Sequence, residues 1–227
     1  MRALALLSLA ACGATAPDRS VHVDATPTVV AIYPTVSELP QNQLKFYVDF
    51  SERMRNPRDL FDHLSLTDET TGEIIDTAFA ETAIWNRERT RLTVLVHPGR
   101  QKSDIGFGDD SGPVLLEGHH YALRIGAALA DVQGTPLAAE GVKRFAVGAT
   151  DRVRPNPATW TTLVPQTAND PLIVTFDEPL DASYLRHAFE VRAAGQTLRL
   201  DAVLGLEERS ILLFATGGWP AEDLVLA

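Results

Sequence analysis

The sequence predicts an all-β protein in which two β-sandwich domains follow each other. Short runs of alternating apolar and polar residues, separated by turn residues and without a long helical period, are typical of half-buried strands. The 227 residues are 45% hydrophobic, as in folded globular proteins, and a single domain usually takes about 100–200 residues. One series of motifs occurs twice along the chain, which predicts two similar domains.

Residues 1–11 have the order of a secretory signal peptide. Arg2 is followed by an apolar stretch and then by the small residues Ala10 and Ala11. The apolar stretch is shorter than the roughly 20 residues that a membrane-spanning helix needs. Cys12 is the only cysteine of the chain, so it has no partner for an internal disulfide.

The residues Leu9-Ala10-Ala11-Cys12-Gly13 resemble a bacterial lipobox. The resemblance implies that the signal peptide is cut before Cys12 and that the Cys12 thiol receives diacylglycerol. Two or more acyl chains hold a protein stably on a bilayer. Gly13 stands where a retention signal such as Asp would sit, which favours the outer membrane, with the protein facing the periplasm or the cell exterior. A plain secretory signal with an unmodified Cys12 is the alternative.

Two stretches of the chain are predicted to be connecting segments. Residues 12–27, which begin with the lipidated cysteine, are small, polar and Pro-containing, as in a flexible tether. Residues 149–158 combine charged residues with two prolines and predict a linker between domains. We therefore expect the first domain over residues 28–148 and the second over residues 159–227.

Six runs of the first domain alternate between apolar and polar residues. In the second run, the apolar side chains Leu44, Phe46, Val48 and Phe50 are expected to share the core face of a strand, because successive side chains point to opposite faces. The predicted strand runs are residues 29–33, 44–50, 63–67, 92–96, 121–125 and 144–147.

The second domain repeats the motifs of the first in the same order and with nearly constant spacing, which indicates duplication. In this alignment the second copy stops where the first still has a turn and a last strand, so we expect an open sheet edge. Either the chain is a fragment, or a partner supplies the strand. The matched segments are residues 48–54 with 174–180, Leu60 with Leu185, 63–66 with 188–191, Tyr33-Pro34 with Val164-Pro165, 89–92 with 209–212, and 121–124 with 223–226.

Two motifs carry a resemblance to a known family of domains. Residues 50–54, with the sequence Phe-Ser-Glu-Arg-Met, resemble the strand end of the bacterial Ig-like domain named for the S-layer protein SbsA. Residues 131–137 resemble the turn before the last strand of the same family. The resemblance implies two Ig-like β-sandwich domains in tandem, the second lacking its C-terminal strand. Family members occur as spacers, adhesin stalks and accessory modules, so no ligand is implied.

The loop of residues 99–112 is the strongest candidate for a ligand site. Asp104, Asp109 and Asp110 provide the carboxylate oxygens that Ca²⁺ prefers, although a solvated acidic loop is the favoured explanation for them. The surrounding Gly108-Asp109-Asp110-Ser111-Gly112-Pro113 resembles the serine loop of trypsin-like proteases. It lacks that loop's second glycine, and no matching histidine signature precedes it, so Ser111 is not expected to be catalytic.

Other reactive residue types have structural explanations. His119 and His120 open a strand, so their rings point to opposite faces and do not predict a metal site. Glu52 and Glu178 recur at equivalent strand ends of different domains, which favours a structural role. Packing in a core or between domains is favoured for the tryptophans Trp85, Trp160 and Trp219.

These patterns predict an envelope lipoprotein whose Ig-like domains form a non-catalytic structural or interaction module. The net charge of -10 argues against nucleic-acid binding, which needs clustered Lys and Arg. The expected partners are the membrane, through the lipid, and a protein or glycan of the envelope. No cofactor is expected beyond diacylglycerol, with Ca²⁺ limited to the loop of residues 99–112. The alternatives are a glycan- or calcium-dependent binding module and an accessory region of a longer enzyme.

Overall fold

The computed structural model describes residues 25–101, 112–221 and 223–226. Strands arranged in several sheets dominate this part of the chain, and its helices are single short turns. The predicted all-β class with tandem sandwiches is therefore confirmed. Within the described ranges, no helix has the length and apolarity to cross a membrane.

The first sandwich consists of two sheets that enclose one hydrophobic core. One sheet has the antiparallel order β1-β3-β7-β6, and the other has the order β2-β9-β8-β4-β5 with a parallel pair between β2 and β9. The strands are β1 Val29–Tyr33, β2 Glu38–Pro40, β3 Lys45–Phe50, β4 Leu64–Asp68, β5 Glu73–Ile74, β6 Ile84–Trp85, β7 Arg91–Leu95, β8 His120–Ile125 and β9 Gly141–Gly148. The short helix α1 covers Pro98–Gln101, and a 3-10 turn covers Leu60–His63.

The second sandwich repeats this arrangement with fewer strands. Its sheets have the orders β10-β11-β15-β14 and β13-β12-β16, and all their pairs are antiparallel. The strands are β10 Thr161–Leu163, β11 Leu172–Thr175, β12 Val191–Ala193, β13 Gln196–Thr197, β14 Leu200–Leu204, β15 Ser210–Ala215 and β16 Leu224–Leu226. The helix α2 covers Ala182–Leu185, and 3-10 turns cover Pro157–Thr159 and Leu206–Glu208.

The two sandwiches have the same strand order wherever both have a strand. The order β1-β3-β7-β6 corresponds to β10-β11-β15-β14, and β5-β4-β8 corresponds to β13-β12-β16. Among the described residues, β2 and β9 have no counterpart in the second sandwich, and the second edge of β16 has no strand partner. The residue limits predicted for the tether, the linker and the two domains stay predictions. The strand pairing shows which strands form each sandwich, but it does not fix where a domain begins or ends.

The register corrects part of the sequence alignment of the two copies. Val48 pairs with Leu92, and its equivalent Val174 pairs with Ile211, so Leu92 corresponds to Ile211 rather than Leu212. A shift of one residue would exchange the two faces of a strand, and both Leu92 and Ile211 are fully buried. The sequence alignment of residues 89–92 with 209–212 was therefore wrong by one residue.

The same one-residue error occurs at both ends of the repeat. Tyr33 pairs with Tyr47 as Leu163 pairs with Ile173, so Tyr33 corresponds to Leu163 and not to Val164. At the other end, Leu66 pairs with Leu123 as Val191 pairs with Leu226, so Leu123 corresponds to Leu226. The predicted match of residues 121–124 with 223–226 is therefore also wrong by one residue.

One further correspondence concerns the turn before β7 and β15. The carbonyl of Arg89 accepts a hydrogen bond from the Met54 amide at 3.0 Å, as the carbonyl of Glu208 does from the Leu180 amide at 3.1 Å. Arg89 and Glu208 both have positive φ, at 57° and 54°. Structurally, Glu208 is therefore the counterpart of Arg89.

The core of the first sandwich is built on the predicted alternation of β3. Phe46, Val48 and Phe50 are buried, and the Phe46 ring packs against Phe145 with 5.6 Å between centroids. Leu44 was predicted on the same face but is 48% exposed, because it precedes the strand, which begins at Lys45.

Candidate functional site

The ligand and lipid sites predicted from the sequence lie outside the described residues. This applies to Cys12 and to the loop carboxylates Asp104, Asp109 and Asp110, which therefore stay predictions. Arg100, near the start of this loop, donates a hydrogen bond to the carbonyl of Gly112 at its end, at 3.0 Å. Arg100 also donates to the carbonyl of Asp76 at 3.1 Å. Arg100 thus connects the two ends of the loop.

The structure places the two neighbouring histidines apart, as the strand pattern predicts. His119 Nδ1 lies 2.6 Å from Asp68 Oδ2, whereas His120 is exposed. Burial raises the pKa of Asp68, but the bonds from His119 and from two backbone amides outweigh it and lower the pKa below its usual value. In the described part of the chain, no group of three or more His, Cys, Asp or Glu side chains is arranged to hold a metal.

The tryptophans pack within the sandwiches. Trp160 lies against Phe176 with 4.9 Å between ring centroids, and Trp85 lies 5.8 Å from Phe50. Trp219 is buried and donates its indole N–H to the carbonyl of Asp170 at 2.6 Å. The packing interpretation of the tryptophans is thus confirmed.

A contact between the two sandwiches is the feature that the sequence did not predict. It begins on the outward face of the sheet β1-β3-β7-β6, where Tyr33 pairs with Tyr47 and Asp49 pairs with Arg91. Lys45, Tyr47 and Asp49 alternate with the core residues of β3. Tyr47 is nevertheless only 6% exposed, because residues of the second sandwich cover this face. We call this surface and its partners in the second sandwich the intersandwich contact.

Asp181 connects α2 to this face. Its carboxylate caps the helix by accepting bonds from the amides of Ser183 at 3.0 Å and Tyr184 at 2.9 Å. The same carboxylate accepts the Tyr47 hydroxyl at 3.0 Å and lies 2.8 Å from Lys45 Nζ. Burial raises the pKa of Asp181, but these bonds, above all that from Lys45, lower it below the usual value. Asp181 therefore caps a helix of the second sandwich and also binds the first sandwich with its negative charge.

Arg186, one residue beyond α2, adds a cation to the contact. Its guanidinium donates to the Tyr33 hydroxyl at 3.4 Å and lies 3.6 Å from the Asp49 carboxylate. Asp49 also binds Arg91 through two bonds of 2.5 and 2.6 Å. Both guanidinium groups lie over the Tyr33 ring, at 5.7 Å for Arg91 and 5.9 Å for Arg186, which adds cation–π attraction.

Glu208 makes the most buried polar link between the sandwiches. Its side chain is 1% exposed and accepts the Thr35 amide at 2.8 Å and the Thr35 hydroxyl at 2.7 Å. Glu207 and Glu208 both have left-handed φ values, 55° and 54°, which cost about 1–2 kcal/mol per non-glycine residue. The charge-assisted bonds to Thr35 offset that strain.

Lys143 lies near this link in the first sandwich. Its ammonium donates to the carbonyl of Val36 at 2.8 Å and is buried. Burial lowers the pKa of Lys143 to about 8, although the nearby Glu208 carboxylate opposes this shift. The lysine therefore carries its charge at neutral pH at a cost to stability.

The pKa of Lys143 predicts a pH dependence of stability. Its value of about 8 in the folded protein lies below its ordinary 10.5, so the unfolded chain binds more protons between these values. Stability should rise with pH in this window, by at most about 1.4 kcal/mol per pH unit. Above pH ~10 the buried Tyr47 and Tyr121, whose pKa values burial raises, should reverse the trend. Urea unfolding from pH 7 to 10 tests this, with Lys143→Met as the variant that should lose the rise.

A cavity of about 680 Å³ lies beside the intersandwich contact. Lys45, Tyr47 and Asp181 line it and already bind one another, and Glu178 and Asp151 lie at the same cavity. Burial and the charge of Asp151 raise the pKa of Glu178. Lys45 and Tyr47 of the first sandwich both bind Asp181 of the second. These groups at the cavity therefore form part of the interface between the sandwiches.

The sequence carried one overlooked signal for this contact. Lys45, Tyr47 and Asp49 form the outward face of β3, and Arg91 is their cross-strand neighbour. A strand face that only contacts water does not need a tyrosine between two opposite charges. Sequence alternation assigns such a face to solvent, because it cannot show that a second domain covers it.

No protein-family model matches the chain, and no curated protein matches it significantly. Among solved structures, it is similar to the S-layer protein rSbsC(31-844), with 12% identity, a TM-score of 0.38 and coverage of 89% of this chain and 23% of that one. The N-terminal part of the bacterial S-layer protein SbsC gives 13% identity and a TM-score of 0.38, with 89% of this chain and 40% of that chain covered.

A third similar structure is native alpha-2-macroglobulin from Escherichia coli, spanning domains MG0-NIE-MG1. It shows 12% identity and a TM-score of 0.35, and the match covers 90% of this chain and 60% of that chain. The chain thus spans less than two thirds of each of these structures.

Proposed function

We propose that the chain is a non-catalytic structural module of the bacterial envelope, anchored by lipid on Cys12, that holds two Ig-like sandwiches in one relative orientation. The observation that carries this proposal is the intersandwich contact. It uses the helix cap Asp181, the cation Arg186 and the buried Glu208 of the second sandwich. Three separate attachment points restrict rotation in a way that one flexible linker would not.

The connecting segment supports the same function. The side chain of Asn42 donates to the carbonyl of Asp151 at 2.6 Å and accepts the Asp151 amide at 3.0 Å. The segment after β9 is thereby tied back to the first sandwich before the second begins. A spacer needs such a stiff junction, because a free hinge would not keep a displayed surface at a constant distance.

The lipid anchor is the part of the proposal that rests on sequence. The lipobox resemblance at Cys12 and the polar, Pro-containing residues 12–27 support attachment at one end of the two sandwiches. A partner or glycan in the envelope would then meet the sandwiches at a distance from the membrane.

The stiffness of the junction can be measured with two spin labels. In a Cys12→Ser background, labels at the exposed positions Glu81→Cys and Gln196→Cys report the distance between the sandwiches. We expect one narrow distance distribution. Arg186→Leu should broaden it, because the cation that contacts Tyr33 and Asp49 is lost.

Arg192→Leu is the matched control, since it removes the same charge from an exposed arginine that pairs with Glu190 within the second sandwich. The control should keep the narrow distribution. A broad distribution in the unaltered junction would contradict the structural proposal.

A further inference from the structure

The outer edge of β16 lacks a strand that the first sandwich has. The corresponding strand β8 lies between β4 and β9, whereas β16 pairs with β12 on one side only. Within the described ranges, no backbone hydrogen bond reaches the other side of β16. We call this side of β16, over Leu224–Leu226, the open edge.

The backbone groups of Leu224 and Leu226 point to the open edge. In the first sandwich, the carbonyl of His120 accepts a hydrogen bond at 2.7 Å from the amide of the residue that follows β4. Successive residues of a strand face opposite neighbours, so Tyr121 and Leu123 face β9. Their equivalents Leu224 and Leu226 therefore face the open edge. Unpaired N–H and C=O groups of this kind are a template for a further strand.

The side chains at the open edge leave the core of the second sandwich incompletely covered. Tyr121 and Leu123, which pair with β9, are fully buried. Leu224 and Leu226 also pack against their core but are only partly buried. In the first sandwich, Phe145 of β9 stacks on Tyr121 with 5.8 Å between ring centroids. An apolar side chain opposite Leu224 would cover the second core in the same way.

The strand β9 shows what kind of segment the open edge is suited to bind. It runs antiparallel to β8, and its residues Phe145 and Val147 are buried while Arg144 is exposed. Main-chain hydrogen bonds give affinity for an added strand, and its alternate side chains give specificity. The open edge therefore suits an antiparallel strand with apolar side chains at every second position.

Charge favours a basic segment at this edge. The chain has a net charge of -10, and Asp223, directly before β16, is exposed. In the first sandwich, the residue of β9 that lies opposite Ala122 is the outward Arg144, and the equivalent of Ala122 is Val225. An acidic chain attracts basic segments and repels acidic ones, which argues against a second copy of this chain as the occupant.

We propose that the open edge binds an extended, basic segment of another polypeptide, which joins the sheet β13-β12-β16 as an antiparallel strand beside β16. Its inward apolar side chains cover Leu224 and Leu226, and its basic side chains point outward. The proposal is independent of the lipid on Cys12 and of the stiffness of the intersandwich contact.

A short peptide can represent such a segment. Residues 141–149 with Val142→Lys and Lys143→Val have basic side chains at outward positions of β9 and apolar ones at its inward positions. We expect saturable binding of one peptide to the full chain with Cys12→Ser, measured by isothermal titration calorimetry. Adding Phe145→Asp to the peptide should weaken binding by at least about tenfold, because the inward aromatic side chain is lost.

The charge of the peptide gives a second comparison. A peptide with Glu at both outward positions, 142 and 144, should bind several-fold more weakly at low ionic strength, and added salt should reduce the difference. Equal binding of the two peptides at low ionic strength would overturn the basic character of the partner.

Two variants of the chain locate the binding site. Leu226→Ala and Leu226→Pro both lose the leucine side chain, but only the proline also removes the N–H that faces the open edge. Leu226→Pro should bind the peptide about tenfold more weakly than Leu226→Ala. Circular dichroism should show the same strand content in both variants, because the hydrogen bonds between β16 and β12 are kept.

A disulfide between peptide and chain tests the register and needs no change in the core. Val225 is 60% exposed, and Val225→Cys should lie directly opposite a peptide with Arg144→Cys. We expect the disulfide adduct, detected by intact mass, in a chain with Cys12→Ser. A peptide with Gly148→Cys is the matched control, because its thiol would lie four residues out of register.

Three results would overturn the proposal. One is the absence of peptide binding, or equal binding to Leu226→Ala and Leu226→Pro together with equal disulfide yields from both cysteine peptides. Another is a chain that dimerises through β16 and excludes the peptide, since a second copy would then be the occupant. The third is a native product in which a further strand of the same chain fills the open edge and leaves the peptide unbound.

Discussion

Replacing Cys12 with Ala is expected to abolish the proposed attachment of the protein to a membrane. Without the thiol no thioether to diacylglycerol can form, and each buried methylene of an acyl chain contributes about 0.8 kcal/mol to binding. The variant should leave the membrane fraction or keep its signal peptide uncleaved. Cell fractionation and the intact mass of the product measure both outcomes, since a lipidated protein would begin at Cys12 and carry the acyl mass.

Ser8→Ala is the matched control for this change, because Ser8 lies in the predicted signal peptide but outside the lipobox residues 9–13. It should be processed and anchored like the unchanged chain. Equal fractionation and equal processing of Cys12→Ala and the unchanged chain would show that Cys12 carries no lipid anchor.

Glu208→Gln is expected to destabilise the junction by about 3 kcal/mol. A hydrogen bond to a charged group contributes about 1.5–3 kcal/mol, and the Glu208 carboxylate accepts two such bonds from Thr35. The amide of Gln can accept the Thr35 N–H with its oxygen and donate its NH₂ to the Thr35 hydroxyl, but both hydrogen bonds then lack the charge of the carboxylate. The nearby buried ammonium of Lys143 would also lose its opposing charge. Urea unfolding of the Glu208→Gln variant should show two separate transitions, one for each sandwich.

Glu207→Gln provides the internal comparison for this prediction. Glu207 has nearly the same φ, 55°, and its carboxylate lies 3.9 Å from Arg209, but it does not reach Thr35. The free energy of unfolding should change by no more than about 0.5 kcal/mol, as for other surface substitutions. Equal effects of the two variants would show that the link from Glu208 to Thr35 does not stabilise the junction.

The strands were largely predictable because alternation reports burial on one face. Phe46, Val48 and Phe50 alternate in β3 as the sequence predicts, and the repeat between residues 48–54 and 174–180 corresponds to the same strands of the two sandwiches. The ends of the repeat were wrong by one residue because only hydrogen-bond pairing fixes register. An error of this kind arises wherever neighbouring residues are both apolar, as Ile211 and Leu212 are.

The intersandwich contact could not be predicted for a different reason. Tyr47 occupies an outward position of β3, and its burial depends on Asp181, which lies 134 residues further along the chain. Glu208 is an acidic residue in a turn, a place where a solvated side chain is the ordinary expectation. The outward residues of β3 mark that face as unusual, but spacing within one segment does not identify such distant partners.

The correspondence between Arg89 and Glu208 shows that the order of the two sandwiches along the chain matters for the contact between them. At the position where the second sandwich presents an anion to Thr35, the first presents a cation on an equivalent left-handed turn. Exchanging the order of the two domains would therefore bring a guanidinium to the place of the carboxylate. The two halves are complementary rather than interchangeable, so a gene fusion that reverses them is expected to lose the junction.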